Sequence, residues 1–178
     1  PQQLFVTIEK CVFTNCKSAS LGGAIKCGTG IKVGEKSNDV KISFCEFNQC
    51  DAITGDSLFF ADGTAEGDEE TVIEYCKFHG FGNPKGETTS SIGTTGTAIY
   101  CRSYKFDLTH STFDNYKGTP SMIYINMNED NLESTVTNCT FTQSEQRIEY
   151  YSGQGYDRST GSSITFNNCN FKDNSAVI

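Results

Sequence analysis

One short frame recurs six times along this chain and limits the folds that it can adopt. Each copy has a phenylalanine two residues after a central cysteine or serine, and an apolar residue three before it. The centres, 28 to 35 residues apart, are Cys11, Cys45, Cys76, Ser111, Cys139 and Cys169. The phenylalanines are Phe13, Phe47, Phe78, Phe113, Phe141 and Phe171. A repeat of this length with one residue type per position predicts a solenoid whose coils stack on one another.

Composition and spacing predict that these coils are made of β-strands. Thr, Ile, Phe and Tyr favour strands, and no stretch shows a sustained apolar period of 3.6 residues. The three-residue steps from Ile8 to Cys11 and from Phe13 to Cys16 keep both ends inside only if the chain turns corners at Glu9–Lys10 and near Asn15. Asn tolerates the left-handed conformation of such corners.

We therefore predict an all-β fold, a parallel β-helix of about six coils of roughly 28–35 residues. Residues 1–178 would form a single domain within a longer repeat protein.

A second strand region follows each of the first five frames and predicts an outward aromatic column. The segments read AIKC (24–27), LFFA (58–61), AIYC (98–101), MIYI (122–125) and RIEY (147–150). Alternation predicts Phe59 inside the solenoid and Phe60 outside it, in one column with Tyr100 and Tyr124. Unless projecting loops cover them, Phe60, Tyr100 and Tyr124 are a candidate face for sugar rings or for a protein partner.

The stretch CVFTNCKSASLGGAIKC (11–27) resembles a known family of repeats. Its Gly-Gly-Ala-Ile segment (22–25), and the Phe-x-x-Asn segment at 171–174, are similar to the repeats of chlamydial polymorphic outer-membrane proteins. They are also similar to the related cysteine-rich surface repeat proteins of trichomonads. The resemblance implies a right-handed parallel β-helix of the pectate-lyase type, in a cell-surface or secreted protein that takes part in adhesion.

The nine cysteines have four possible roles, of which a metal site and a catalytic thiol fit the spacing poorly. Zinc needs four ligands in a tetrahedron, whereas Cys11, Cys45 and Cys76 would form a line along the stack. A catalytic thiol needs a neighbouring base, and the two histidines, His79 and His110, occupy different positions of the frame. We therefore predict no cofactor for this chain and no metal held by its cysteines.

Disulfides and simple core packing are the other two roles. A bridge such as Cys16–Cys50 between neighbouring coils is within reach, although parallel side chains suit the disulfide dihedral poorly. Ser111 occupies the same position as the central cysteines. The exchange of Cys for Ser indicates that this position needs a small buried side chain. We therefore predict that the six centres and the six repeated phenylalanines form structural core columns.

An acidic segment, DGTAEGDEE (62–70), is the candidate for a cation site. Asp62, Glu66 and Asp68 have a faint similarity to a calcium loop, but Ile73 stands where such a loop needs its bidentate Glu. No other coil supplies the stacked carboxylate pairs that polysaccharide hydrolysis uses. We therefore predict a solvated loop, and a chain that is not an enzyme.

Charge and hydropathy limit the classes of partner that the chain can bind. The net charge of −8, without Lys/Arg clusters, argues against nucleic acid, and no apolar run is long enough for a membrane span. We expect a surface or secreted β-helix that binds a protein or a glycan in adhesion. The alternatives are a filament or scaffold subunit, surface or intracellular, whose copies stack through open β-edges, and a degenerate pectate-lyase-like carbohydrate-active protein. Asn138-Cys139-Thr140 is a formal glycosylation sequon, predicted to lie on a core strand.

Overall fold

The described part of the chain consists of β-strands, turns and irregular segments. The computed structural model describes residues 4–29, 38–52, 54–62, 70–80, 98–102, 105–117, 121–127, 133–145, 147–152 and 162–175. Within these residues every regular element is a β-strand. The same residues contain no helix with the length and apolar character needed to cross a membrane.

The strands form three parallel sheets, each with one strand from successive coils, which we number 1 to 6 from Cys11 to Cys169. Sheet 1 contains β1 (Leu4–Glu9), β4 (Asn38–Ser43), β7 (Glu70–Glu74), β10 (Lys105–Thr109), β13 (Glu133–Thr137) and β16 (Ser163–Asn167). Sheet 2 contains β2 (Val12–Thr14), β5 (Glu46–Asn48), β8 (Lys77–His79), β11 (Thr112–Asp114), β14 (Thr140–Thr142) and β17 (Asn170–Lys172). Sheet 3 contains β3 (Ile25–Thr29), β6 (Leu58–Asp62), β9 (Ile99–Arg102), β12 (Ser121–Met127) and β15 (Arg147–Ser152). The predicted all-β parallel solenoid is therefore confirmed.

The register aligns the repeated phenylalanines in one inward column. Phe13 pairs with Phe47, and the same pairing continues through every coil to Phe171. Neighbouring rings stack with centroids 4.5 to 5.1 Å apart. The rings of coils 2 to 5 are buried, whereas Phe13 and Phe171 in the end coils are partly buried. Each stacked pair contributes roughly 0.5–1.5 kcal/mol beyond the burial of its area.

Left-handed corners turn the chain between the sheets at the predicted positions. The residue before each centre has a φ of 49° to 55°, and these residues are Lys10, Phe44, Tyr75, His110, Asn138 and Asn168. A second corner, four residues after the centre, has a φ of 51° to 64° at Asn15, Gln49, Asn115, Gln143 and Asp173. The first corner joins sheet 1 to sheet 2, and the second ends each strand of sheet 2.

After several of these corners, the next residue directs its amide at a side chain of the following coil. The Cys76 N–H donates to Ser111 Oγ at 3.1 Å, and the Ser144 N–H donates to Asn174 Oδ1 at 3.0 Å. Backbone hydrogen bonds from the preceding coil also reach the sulfur atoms of Cys45, Cys50 and Cys76. The small residues of these columns therefore fill space and also accept hydrogen bonds that the corners leave unpaired.

Glycines turn the chain into sheet 3. Gly22 and Gly55 occupy equivalent positions in coils 1 and 2, and both have a φ of 62°. A Cβ atom on Gly22 would lie 2.5 Å from the Ile25 carbonyl oxygen, and one on Gly23 would lie 2.2 Å from the Asp56 carbonyl oxygen of the next coil. The Gly-Gly pair is thus required both for the turn and for the close approach of two coils.

Candidate functional site

The predicted aromatic column on sheet 3 is wrong by one residue in coil 2. Phe60 pairs with Cys27 and Cys101 and has no exposed surface, so it is a core residue. Phe59 occupies the outward position and stacks on Tyr100 with centroids 4.9 Å apart. The error arose because all four residues of LFFA are apolar, and alternation alone could not choose between the two registers.

The corrected column of Phe59, Tyr100 and Tyr124 does not present open ring faces. Tyr100 stacks on Tyr124 at 5.0 Å with an angle of 5° between the rings. Phe59 is 8% exposed, and burial raises the pKa of Tyr100. Asn126 Nδ2 donates to the Tyr124 hydroxyl at 3.5 Å. Because each ring covers its neighbour, a sugar has no face to stack on between Phe59 and Tyr124.

A different aromatic row is exposed, at the corner between sheets 1 and 2. It consists of Phe44, Tyr75 and His110, which we call the corner ridge. Phe44 is 50% exposed and Tyr75 is 46% exposed, and His110 is also exposed. The Phe44 and Tyr75 rings lie 5.0 Å apart and 2° from parallel, and Tyr75 and His110 lie 4.7 Å apart. The ridge therefore runs along the solenoid axis through three coils and turns ring edges towards solvent.

The left-handed backbone of the corner ridge is conformationally unfavourable for aromatic residues. The left-handed conformation costs roughly 1–2 kcal/mol per non-glycine residue, or about 3–6 kcal/mol for the three. Two stacked ring pairs offset only about 1–3 kcal/mol of this. Asn, which tolerates the conformation, occupies the same corner in coils 5 and 6. Exposed aromatic residues on strained left-handed backbone are therefore a candidate functional site.

Ion pairs border the corner ridge at its coil 1 end and on both sides. They are Glu9–Lys10 at 3.3 Å, Lys41–Glu74 at 2.6 Å and Glu46–Lys77 at 2.8 Å. The hydrogen bond with Glu74 raises the pKa of Lys41, and the hydrogen bond with Lys77 lowers the pKa of Glu46. The charged side chains beside the corner ridge thus neutralise one another, so they add little attraction for a charged partner.

The row continues beyond the corner ridge as a chain of amides. Asn138 Nδ2 donates to His110 Nε2 at 3.0 Å, and Asn168 Nδ2 donates to Asn138 Oδ1 at 2.6 Å. Asn138 therefore lies at a corner and not on the core strand that the alternation predicted.

The buried cysteines have the opposite of the properties that nucleophilic thiols need. All nine are free, so the structure contains no disulfide bond. Burial raises the pKa of Cys76 to about 12 and the pKa of both Cys50 and Cys139 to about 11. A nucleophilic thiol needs a lowered pKa and access to solvent. The structure therefore favours the core-column prediction for the central cysteines.

The other candidate residues of the sequence are the acidic segment and the two histidines. Glu66 and Asp68 of the acidic segment lie outside the described residues, as does the side chain of Asp62. Among the residues that are described, no three His, Cys, Asp or Glu side chains cluster as a metal site. His79 Nδ1 lies 2.6 Å from Asp114 Oδ1 on sheet 2, whereas His110 lies at the corner.

The corner ridge was missed although its signal is present in the sequence. Its three members occupy the same position of the frame, one residue before the centre. A corner residue belongs to neither of the strands that it joins, so strand alternation does not single it out.

Comparisons with protein-family models, with curated proteins and with solved structures find no match for this chain. The resemblance to chlamydial and trichomonad repeats therefore has no support from them. The parallel β-solenoid is established by the repeat and the strand register of the chain itself.

Proposed function

We propose that this chain is a non-enzymatic solenoid that binds a protein partner through the corner ridge. The observation that carries the proposal is the exposure of Phe44, Tyr75 and His110 on strained left-handed backbone. Aromatic residues bordered by polar groups are the arrangement in which protein interfaces concentrate their binding energy.

The geometry favours a protein over a glycan. Sugars stack on the faces of aromatic rings, and the faces within the corner ridge are covered by the neighbouring rings. Ring edges instead fit apolar side chains or the faces of a partner's aromatic rings. Because the bordering ion pairs are satisfied internally, an acidic polysaccharide would find no free row of cations there.

A role in adhesion at a cell surface or in secretion completes the proposal. Its support is the resemblance of residues 11–27 to surface repeat proteins, together with a solenoid that displays the corner ridge along its axis. A rigid stack of coils can hold such a row at fixed spacing without the partner having to order it.

Selection from a displayed peptide library tests the proposal. Enriched peptides should bind the wild-type chain, and the double variant Phe44→Asn/Tyr75→Asn should weaken them about tenfold or more. Asn is the natural residue at this corner in coils 5 and 6, so the variant should keep the fold. The affinity should change little with salt, because the bordering charges are already paired.

Phe5→Thr is the matched control. Phe5 is 65% exposed in β1 and lies away from the corner, so its loss should leave the affinity unchanged. Peptides that bind the double variant as well as the wild type would contradict the proposal. A glycan array probed in parallel would contradict it if a glycan bound in a way that requires Phe44 and Tyr75.

End-to-end self-association is a second candidate function. In the end coils the inward residues are only partly buried, and Phe13 and Phe171 each stack on one phenylalanine of their column instead of two. The Cys11 thiol donates to the Glu9 carbonyl oxygen of its own coil, whereas the Cys45 thiol also reaches Ile8 O of the preceding coil. Sedimentation velocity over a range of concentrations should then show a rising mass. A constant monomer mass at every concentration would contradict this candidate.

A further inference from the structure

The corner position of Asn138 bears on a sequence motif that lies outside the corner ridge. Asn138, Cys139 and Thr140 form an acceptor sequence for N-linked glycosylation. On a core strand such a sequence could not carry a glycan in the folded chain. The structure instead places Asn138 at a left-handed corner with a φ of 54° and a partly exposed side chain.

The hydrogen bonds of Asn138 are compatible with a sugar on its amide nitrogen. Its Oδ1 accepts from Asn168 Nδ2, so the side chain is held by its oxygen. Its Nδ2 carries two hydrogens and donates one of them to His110 Nε2. The other Nδ2 hydrogen takes no part in these two hydrogen bonds and is the one that a glycan would replace. The folded chain can thus keep its corner with the modification present.

We propose that Asn138 is an N-glycosylation site whose glycan lies at the coil 5 end of the corner ridge. The reaction takes an oligosaccharide carried on a polyprenyl diphosphate as its donor. The Asn138 Nδ2–C1 bond forms, the bond between C1 and the diphosphate oxygen breaks, and the lipid diphosphate leaves. The Nδ2 proton passes to a basic group of the transferring enzyme, and no oxidation or reduction takes place.

The position of the glycan limits the binding surface. His110 is the last ring of the corner ridge, and its outer side faces Asn138. A first sugar on Nδ2 covers that side of His110 and leaves Phe44 and Tyr75 accessible. The glycan would therefore close one end of the ridge without blocking its centre.

Expression of the chain behind a secretion leader in glycosylating cells tests the site. Intact-mass measurement should show one glycan, and an endoglycosidase should remove it. Thr140→Ala should abolish the glycan although Asn138 and its corner remain, and Thr140→Ser should keep it. Secreted wild-type chain of unmodified mass would overturn the proposal.

Asn168 supplies the matched control within the same chain. It occupies the equivalent corner of coil 6, with a φ of 51°, but Asn170 stands where the acceptor sequence needs a hydroxyl residue. Asn170→Thr should therefore add a second glycan. If this variant gains a glycan while Asn138 stays unmodified, corners accept glycans but Asn138 does not, and the proposal fails. The result is independent of partner binding, because glycan mass is measured without a partner.

Discussion

At the residue scale, the column of central cysteines and serine combines packing with hydrogen bonding. The Ser111 hydroxyl accepts from the Cys76 N–H at 3.1 Å and donates to the Thr109 carbonyl oxygen at 2.9 Å. Sequence alone predicted that small side chains exchange here, but it gave only volume as the reason. The corner before each centre supplies the second reason, because it removes the following amide from the strand ladder.

Ser111→Ala tests this second role. The change leaves the buried Cys76 amide without an acceptor, so we expect a loss of about 1–3 kcal/mol in the free energy of unfolding. Ser111→Cys, which restores an acceptor, should cost less than Ser111→Ala. Equilibrium denaturation in urea measures both. Equal stability of the two variants would show that only side-chain volume matters at this position.

The buried thiols predict a loss of stability at alkaline pH. The Cys76 pKa is raised from 9.0 to about 12 in the folded chain, so the folded thiol keeps its proton where the unfolded thiol releases it. The stabilising contribution is complete below pH 9.0 and is lost as the pH rises from 9.0 towards 12. Between pH 8 and pH 10, the free energy of unfolding should therefore fall by about 1 kcal/mol less in Cys76→Ser than in the wild-type chain. An unchanged pH profile in this variant, measured by denaturation at each pH, would contradict the burial of the thiol.

At the scale of elements, strands and corners use aromatic rings for different purposes. Phe78 in β8 is 1% exposed and stacks on Phe47 and Phe113, whereas Tyr75, three residues earlier, stacks on its neighbours in solvent. The inward ring of Phe78 stabilises the fold by its burial, while Tyr75 is a residue whose backbone is strained. Loss of the two rings should therefore have different consequences.

Phe78→Ala and Tyr75→Asn make this comparison. We expect Phe78→Ala to cost about 3–5 kcal/mol, because it opens a cavity within the phenylalanine column. Tyr75→Asn should change stability by less than about 1 kcal/mol, since relief of the left-handed strain offsets the lost stacking. Thermal or urea denaturation measures both. A large destabilisation by Tyr75→Asn would assign the corner ridge to folding and would remove the argument for a binding role.

The strands were predictable from the sequence because their columns repeat, and the errors occurred where the repeat is ambiguous. The phenylalanine column follows from spacing alone. The choice between Phe59 and Phe60 depends on where the strand enters sheet 3, which Gly55 sets three residues before Leu58. Predicting the corner ridge would have required knowing that the corner side chains point outward. Neither strand alternation nor composition gives the direction of a corner side chain.

At the scale of the whole molecule, each coil pairs only with its neighbours, so stability should vary along the stack. Central strands have a hydrogen-bonded partner on both sides, while six strands have one partner each among the described strands, namely β1, β2, β3, β15, β16 and β17. Inward side chains follow the same order, being buried in the central coils and partly buried at the ends. A linear array of this kind opens from its ends.

Native-state hydrogen exchange should reveal this gradient in the chain of 178 residues. Amides of β7, β8, β10 and β11 should exchange most slowly, and those of β1, β2, β16 and β17 fastest. Mass spectrometry of peptides from each coil measures the order. The same exchange rate in every coil would contradict the picture of a stack held together by neighbouring coils.

Hydroxyl-radical footprinting read by mass spectrometry tests the central claim most directly, because it reports the exposure of individual aromatic side chains. In the free chain Phe44 and Tyr75 should be oxidised readily, while Phe47, Phe60 and Phe78 should be protected. A bound peptide selected by the wild-type chain should protect Phe44 and Tyr75 and leave Phe5 reactive. Protection of Phe44 and Tyr75 in the free chain, or their continued oxidation in the complex, would contradict the assignment of the corner ridge as the binding surface.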